Sequence, residues 1–224
     1  MRRLLPILFL AALGACGRPL TPNEADFATR LFGPSFDPAP VRIGTSGLVG
    51  LREHRFPARP RTTCRERILP PPEEPWLTGR TAGITLWNHV ITRETLARGD
   101  YSRMPNGQMH LGAAMFLAHE LTHVWQWQNR AVTGYTPMRA GAEHRHGTDP
   151  YLFDPSDNAR FTDFAYEQQA SIVEEYVCCL ALDPGGARTG RLRALMAQVM
   201  EPGDLPAVEI RLPWSGVERR GICS

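Results

Sequence analysis

Residues 116–126 read FLAHELTHVWQ. Apolar residues recur at helical spacing around this stretch, which predicts a helix over residues 111–129. On that helix His119 and His123 are just over one turn apart and project from one face, so each imidazole can give a nitrogen to a single Zn²⁺. Glu120 lies about 100° round the helix axis, outside the ligand set but near a water activated by the metal. The motif therefore predicts a catalytic zinc site with Glu120 as general base.

A catalytic zinc site also needs a third protein ligand and one open position. Metzincin peptidases use a third histidine that follows a glycine shortly after the motif. Gln126 and Asn129 occupy those two positions here, which excludes that class. Gluzincin peptidases instead take a glutamate from a second helix. Glu167 fits best, because it lies early on a helix predicted over residues 162–182, where the small Ala170 permits close helix approach.

Other residues stay open as the third ligand. Glu174 shares the helix face with Glu167 but lies about 10 Å further along. Glu175 points elsewhere and is predicted to be a solvated charge. Ser171 stands four residues after Glu167, where gluzincins often have an acid oriented towards a histidine. The remaining candidates belong to a polar loop over residues 130–160, and they are Glu143, His144, His146, Asp149, Asp154 and Asp157.

A zinc peptidase also needs a hydrogen-bond donor for the oxyanion that forms when water attacks a carbonyl. The candidates are Tyr151, Tyr166, His144, His146 and Arg160, and the sequence does not choose between them. The two histidines are favoured as ordinary loop residues. A strand is predicted over residues 81–92. If it lies beside the motif helix, its edge could bind an extended peptide by strand addition.

The N-terminus has the features of an export signal. Arg2 and Arg3 precede an almost wholly apolar run over residues 4–13, which is too short to span a membrane. The sequence LGAC at residues 13–16 resembles the lipobox of bacterial lipoproteins. The resemblance implies that residues 1–15 are removed and that Cys16 carries a lipid. Since Gly17 is not an inner-membrane retention signal, we expect an outer-membrane location facing the periplasm.

The remaining chain is expected to form one domain. Residues 16–75 are rich in proline and glycine and are predicted to be a tether and N-terminal segment with a short helix over 23–31. Residues 76–224 are predicted to hold the zinc-binding domain, with a third helix over 188–200. Without Arg2 and Arg3, the 25 basic side chains fall to 23 and balance the 23 acidic ones. No basic field remains for nucleic acid, which is therefore excluded as the main partner.

Four cysteines remain beside Cys16, and export favours disulfides. Cys64, Cys178, Cys179 and Cys223 permit three pairings. Cys178 and Cys179 are adjacent and rarely bond to each other, because that geometry is strained. They point to different sides of their helix, so one could hold Cys64 and the other Cys223. The alternative is that one or both pairs are buried thiols.

Two segments together resemble a known family. FLAHELTHVWQ at residues 116–126 and YEQQASIV at residues 166–173 are similar to a bacterial family of metallopeptidase-like proteins of unknown function, which occur alongside secretion and toxin systems of the Rhs and Vgr type. The resemblance covers roughly residues 80–182. It implies an α+β, zincin-like core with a small β-sheet, an HExxH active-site helix and a second ligand-bearing helix. It also implies His119, His123 and Glu167 as metal ligands and Glu120 as catalytic base, but it names no substrate.

The sequence thus predicts a lipid-anchored, zinc-dependent metallopeptidase that acts on a peptide or protein in the cell envelope. The alternative is a catalytically inactive zinc-binding lipoprotein that serves as a binding or assembly module. The serine at position 171 and the undefined oxyanion donor favour that alternative modestly. A cysteine enzyme is disfavoured, because Cys178 and Cys179 lie in an apolar helix where a thiolate is unfavourable.

Overall fold

The computed structural model describes residues 17–144, 149–154 and 160–224, so the signal segment, Cys16, His146 and Asp157 lie outside the described residues. Within these ranges the helices, in chain order, are α1 (Pro22–Phe32), α2 (Cys64–Arg67), α3 (Leu111–Gln128), α4 (Arg130–Thr133), α5 (Pro137–Gly141), α6 (Tyr166–Leu182) and α7 (Ala187–Met196). The strands are β1 (Arg18–Pro19), β2 (Arg42–Thr45), β3 (Glu53–Pro57), β4 (Trp76–Arg80), β5 (Gly83–Leu86), β6 (His89–Thr92), β7 (Met109–His110) and β8 (Ile210–Arg211). The predicted α+β class, with small sheets and several helices, is confirmed.

The long helices follow the sequence periodicity closely. α3 begins one residue after His110, whose ring nitrogen accepts a hydrogen bond from the amide of Ala113 and caps the helix. It is buried along most of its length and packs beside α6. α6 begins later than predicted, because a 3₁₀ turn over Phe161–Asp163 precedes it. The pair α3 and α6 forms the centre of the hydrophobic core.

The main sheet has four strands in the order β1-β2-β6-β5, so β5 is an edge strand. The prediction of a single strand over residues 81–92 is wrong, because this segment forms an antiparallel hairpin of β5 and β6 in which Leu86 pairs with His89. Trp87 in the turn has a φ of 58°, a conformation that bulky residues rarely adopt. Its ring contacts Trp127 of α3. The turn consists of Trp87 and Asn88 and has no glycine, so the sequence signals it only weakly.

The N-terminal segment packs into this core. Thr21 caps α1 and forms a reciprocal capping box with Glu24, and Phe27 and Phe32 of α1 are fully buried. β2 of the same segment pairs in parallel with β6. The core therefore draws on residues both before and after residue 75, and residues 17–45 belong to it.

Two disulfides join distant parts of the chain to adjacent positions on α6. Cys64 bonds to Cys178, and Cys179 bonds to Cys223. The predicted disulfides are therefore present, and the pairing that the sequence left open is resolved. The first attaches α2 to α6, and the second attaches the C-terminal tail to α6.

The remaining elements are small. β3 and β4 form a separate antiparallel hairpin, and β7 and β8 a short parallel pair. The predicted loop over residues 130–160 contains the two short helices α4 and α5. Among the described helices, none has the length and apolar character needed to cross a membrane.

Candidate metal centre

The two histidines of the motif meet on one face of α3, as their spacing predicts. Their ring centroids are 5.1 Å apart and the rings are nearly perpendicular. His119 and His123 are both buried, with 8% and 5% of their surfaces exposed. Buried imidazoles need polar partners, and these come from α6 and from α3 itself.

Glu167, in the first turn of α6, faces both histidines. Its Oε2 lies 3.2 Å from Nε2 of His119 and 3.4 Å from Nε2 of His123. The coordinating atoms of all three side chains lie within 4.8 Å of one another. Ligand atoms about 2.0–2.1 Å from a tetrahedral zinc are themselves about 3.3 Å apart. The nitrogen and oxygen donors at these separations therefore fit a zinc ion.

The second nitrogen of His119 faces Glu174. Nδ1 of His119 lies 3.3 Å from Oε2 of Glu174, which places this carboxylate behind the ring and away from the ligand cluster. From the sequence, Glu174 is a candidate ligand and Ser171 is the candidate partner of a histidine. In the structure the histidine partner is Glu174, two turns after Glu167, and the hydroxyl of Ser171 accepts a hydrogen bond from Arg65.

The second nitrogen of His123 contacts Gln126, which the sequence analysis used only to exclude one class of site. Oε1 of Gln126 lies 2.8 Å from Nδ1 of His123, while its amide group donates to the carbonyl of Tyr166 and to Gln169. Because the amide nitrogen is occupied, Nδ1 of His123 must be the donor in this contact. In the neutral imidazole the lone pair is then on Nε2, which points towards Glu167, as a metal ligand requires.

Glu120 lies beside the edge strand of the main sheet. The hydroxyl of Thr85 in β5 donates a 2.6 Å hydrogen bond to its Oε2. A Cβ atom at Gly83 would lie 2.9 Å from its Oε1, so the strand backbone approaches the carboxylate closely. The side chain of Glu120 therefore lies between its own helix, α3, and the edge strand β5.

The charges of this cluster shift the pKa values of its side chains in the direction opposite to burial. Burial lowers the pKa of His119, but hydrogen bonds and charges from Glu167 and Glu174 outweigh it and raise that pKa to about 10. The same balance raises the pKa of His123, chiefly through Glu167. Burial raises the pKa of Glu167, but the two histidines hold it well below its usual range. The two histidines and Glu167 therefore shift one another's pKa values towards the charged forms.

Aromatic side chains border the centre. The Tyr151 ring lies 5.7 Å from the His119 ring, and its hydroxyl is 2.8 Å from Nε2 of His144. Tyr135, which the sequence analysis missed, stacks on His123 at 5.9 Å. Burial and the nearby carboxylates, Glu167 first among them, raise the pKa of both phenols. Both remain neutral hydrogen-bond donors at physiological pH.

Arg59 holds Tyr151 in place. Its guanidinium lies over the Tyr151 ring at 5.0 Å and donates two hydrogen bonds to Asp149. His144, favoured as an ordinary loop residue, instead lies at the centre, with Nε2 3.8 Å from Oε1 of Glu167. Asp149, a candidate ligand from the sequence, is thus a hydrogen-bond partner of Arg59.

Several other candidates lie away from the cluster. Tyr166 donates its hydroxyl hydrogen bond to the carbonyl of Thr133, and Arg160 is exposed and pairs with Asp163. The carboxylate of Glu143 accepts hydrogen bonds from the first amides of α6 and caps that helix. Asp154 is exposed.

The prediction of Glu175 as a solvated charge is wrong. Its side chain is buried and accepts hydrogen bonds from the amides of Cys64 and Arg65 and from Arg188. It lies on the α6 face towards α2 and not on the face towards α3. Burial of this charge is offset by these three donors.

Comparisons with known proteins give one structural neighbour and no sequence family. No protein-family model matches the chain, and no curated protein sequence matches it. The chain shares its fold with the effector domain of Pseudomonas aeruginosa VgrG2b. The two are 21% identical with a TM-score of 0.51, and the match covers 88% of this chain and 96% of that domain. This likeness concerns the fold alone.

Proposed function

We propose that this protein is a zinc-dependent metallopeptidase of the zincin class, as its motif helix and the family resemblance suggest. The observation that carries the proposal is the convergence of His119, His123 and Glu167 at zinc-ligand separations. Glu120 extends from the same helix beside them. The outer contacts support it too, because each histidine is oriented through its second nitrogen.

The roles of the chain's own residues follow from their placement. A zinc ion held by these ligands would supply a Lewis acid that activates water and polarises a carbonyl. Glu120 would take the proton from the water and pass it to the leaving amine. Its hydrogen bond from Thr85 fixes one carboxylate oxygen and leaves the other to accept that proton. The neutral phenol of Tyr151 would donate to the oxyanion, positioned by Arg59.

The substrate would bind as an extended peptide. β5 is an edge strand, pairs with β6 on one side and lies beside Glu120. Among the described strands none pairs with its other side. A peptide added there would run past the carboxylate of Glu120. The amide of Arg93 donates to the carbonyl of Ala82, so the alternating ladder turns the amide of Ile84 towards β6 and the amides of Gly83 and Thr85 towards the free edge. Ile84→Ala keeps this ladder and removes an exposed side chain beside the free edge, so it should raise KM, and unchanged kinetics would count against strand addition.

The proposed place of action is the cell envelope. The lipobox-like sequence before Cys16 suggests a lipid anchor, and two disulfides favour an oxidising compartment. A peptide or protein in the periplasm, reached from the outer membrane, is the substrate class that we infer.

The experiment that tests the proposal combines metal content with peptide cleavage. The exported protein should hold about one zinc per chain, and His119→Ala and Glu167→Ala should lose or much weaken it. Glu120→Gln should keep zinc but lose nearly all cleavage of a peptide library, while the exposed Glu218→Gln serves as a control. Zinc without cleavage in the parent protein would favour the non-enzymatic binding or assembly module. A folded parent without zinc, even after zinc is supplied, would refute the proposal.

A further inference from the structure

A buried arginine lies directly behind the metal centre. The Arg65 side chain is only 11% exposed, and its Nη1 lies 3.2 Å from Oε2 of Glu174. The same nitrogen donates to the hydroxyl of Ser171. Nε of Arg65 donates to Glu66 at 2.9 Å. The guanidinium therefore contacts two carboxylates, and one of them faces the metal cluster.

Glu174 joins this arginine to a proposed zinc ligand. Its Oε2 faces Arg65 on one side and Nδ1 of His119 on the other, at 3.2 and 3.3 Å. Nε2 of His119 points to Glu167. A carboxylate that accepts from the second nitrogen fixes both the tautomer and the orientation of a ligand histidine. Arg65 thus acts on His119 through Glu174, without touching the ligand cluster.

The position of Arg65 depends on how α2 is attached to α6. α2 has only four residues, too few to be stable alone. Cys64, the residue before Arg65, is bonded to Cys178 of α6. The amides of Cys64 and Arg65 also donate to the buried carboxylate of Glu175 on α6. One covalent bond and two hydrogen bonds therefore hold Arg65 against the helix that carries Glu174.

We propose that Arg65 is a positioning residue for the metal centre, and that the Cys64–Cys178 disulfide sets its position. Zinc affinity then depends more strongly on this disulfide than on the Cys179–Cys223 disulfide, whose tail contacts α2 through hydrogen bonds from Arg67 to the carbonyls of Gly221 and Ile222. The proposal rests on the zinc site of the proposed function, but not on peptide cleavage. Loss of outer partners of ligand histidines lowers metal affinity about 10- to 100-fold.

The test measures zinc affinity by competition with a chelator at fixed pH, using the exported full chain. Arg65→Met should weaken zinc binding about 10- to 100-fold, and Arg65→Lys should restore part of it by keeping the positive charge beside Glu174. Cys64→Ser combined with Cys178→Ser should weaken it similarly. Cys179→Ser combined with Cys223→Ser is the matched control, because it removes a disulfide from the next position of the same helix.

A spectroscopic measurement separates positioning from general stability. The visible absorption of the Co²⁺-substituted protein reports ligand geometry and should change in Arg65→Met but not in the Cys179/Cys223 control. Unchanged zinc affinity and an unchanged cobalt spectrum in Arg65→Met would overturn the proposal, as would equal weakening by loss of either disulfide. A parent that binds zinc but cleaves no peptide would refute the proposed enzyme and leave this inference intact. A folded parent that binds no zinc would overturn both.

Discussion

Zinc binding should release protons, and its affinity should rise with pH. A ligand nitrogen must be unprotonated to bind the metal, and the pKa of His119 in the metal-free protein is about 10. At pH 7 this imidazole is then neutral in about one molecule in a thousand. Deprotonating it costs about 4 kcal/mol, at about 1.4 kcal/mol per pH unit. The apparent affinity should therefore increase about tenfold per pH unit between pH 7 and 10 from this group alone.

The other ligands set the limits of this effect. The pKa of His123 is also raised, so it adds to the number of protons released. Glu167 is already ionised, because its pKa is depressed, and it releases none. Between one and two protons per zinc should leave at pH 7. Titration calorimetry in buffers of different ionisation enthalpy counts them directly.

Glu174→Gln provides the matched variant for this prediction. Glu174 is one of the two groups that raise the pKa of His119, so its neutral analogue should lower that pKa. The affinity should then stop rising at a lower pH than in the parent, and at about pH 9 fewer protons should leave per zinc. An affinity that does not vary with pH, or a proton count at about pH 9 that is the same in the parent and in this variant, would refute the reasoning.

Three further predictions concern the stability of the protein, the general base Glu120 and the partner of His123. Metal-free protein should lose unfolding free energy as pH rises from about 6.5 to 10. The raised pKa of His119 stabilises the folded state; this effect is fully present below the unfolded pKa of about 6.5 and is lost as the pH rises through about 10. Urea unfolding should show a loss of several kcal/mol at most. Gly83→Ala should lower peptide cleavage at least tenfold while zinc binding is kept, because the new Cβ would lie 2.8 Å from the Phe116 ring and 2.9 Å from Oε1 of Glu120, so that both side chains must shift; unchanged turnover would contradict this. Gln126→Leu should weaken zinc binding about 10- to 100-fold, since it leaves Nδ1 of His123 buried without an acceptor, and chelator competition measures it.

The parts of the fold that sequence predicts are those set by local patterns. The helical period of residues 111–129 places both histidines on one face, and the spacing is reproduced in the structure. Glu167 could be found because it lies early on a second periodic helix. The first inference needs only the geometry of a single helix, whereas the second also uses the gluzincin pattern of a glutamate from a second helix.

The missed parts depend on contacts between distant segments. Arg65 contacts Glu174 across more than a hundred residues of sequence, and no local pattern marks that pair. Tyr135 reaches His123 only because the loop after α3 folds back over the centre. The hairpin turn at Trp87 was missed because it uses a bulky residue with positive φ, where turns usually have glycine or asparagine.

The adjacent cysteines of α6 also fix the angle of that helix about its own axis. Cys178 and Cys179 differ by about 100° round the helix, and one faces α2 while the other faces the C-terminal tail. The sulfur atoms of Cys64, Cys179 and Cys223 nevertheless lie within 4.8 Å of one another, so an exchanged pairing is within reach during oxidative refolding. A chain with the exchanged bonds would have the same mass and the same number of free thiols as the native protein, so neither of those two measurements reports correct pairing in refolded material.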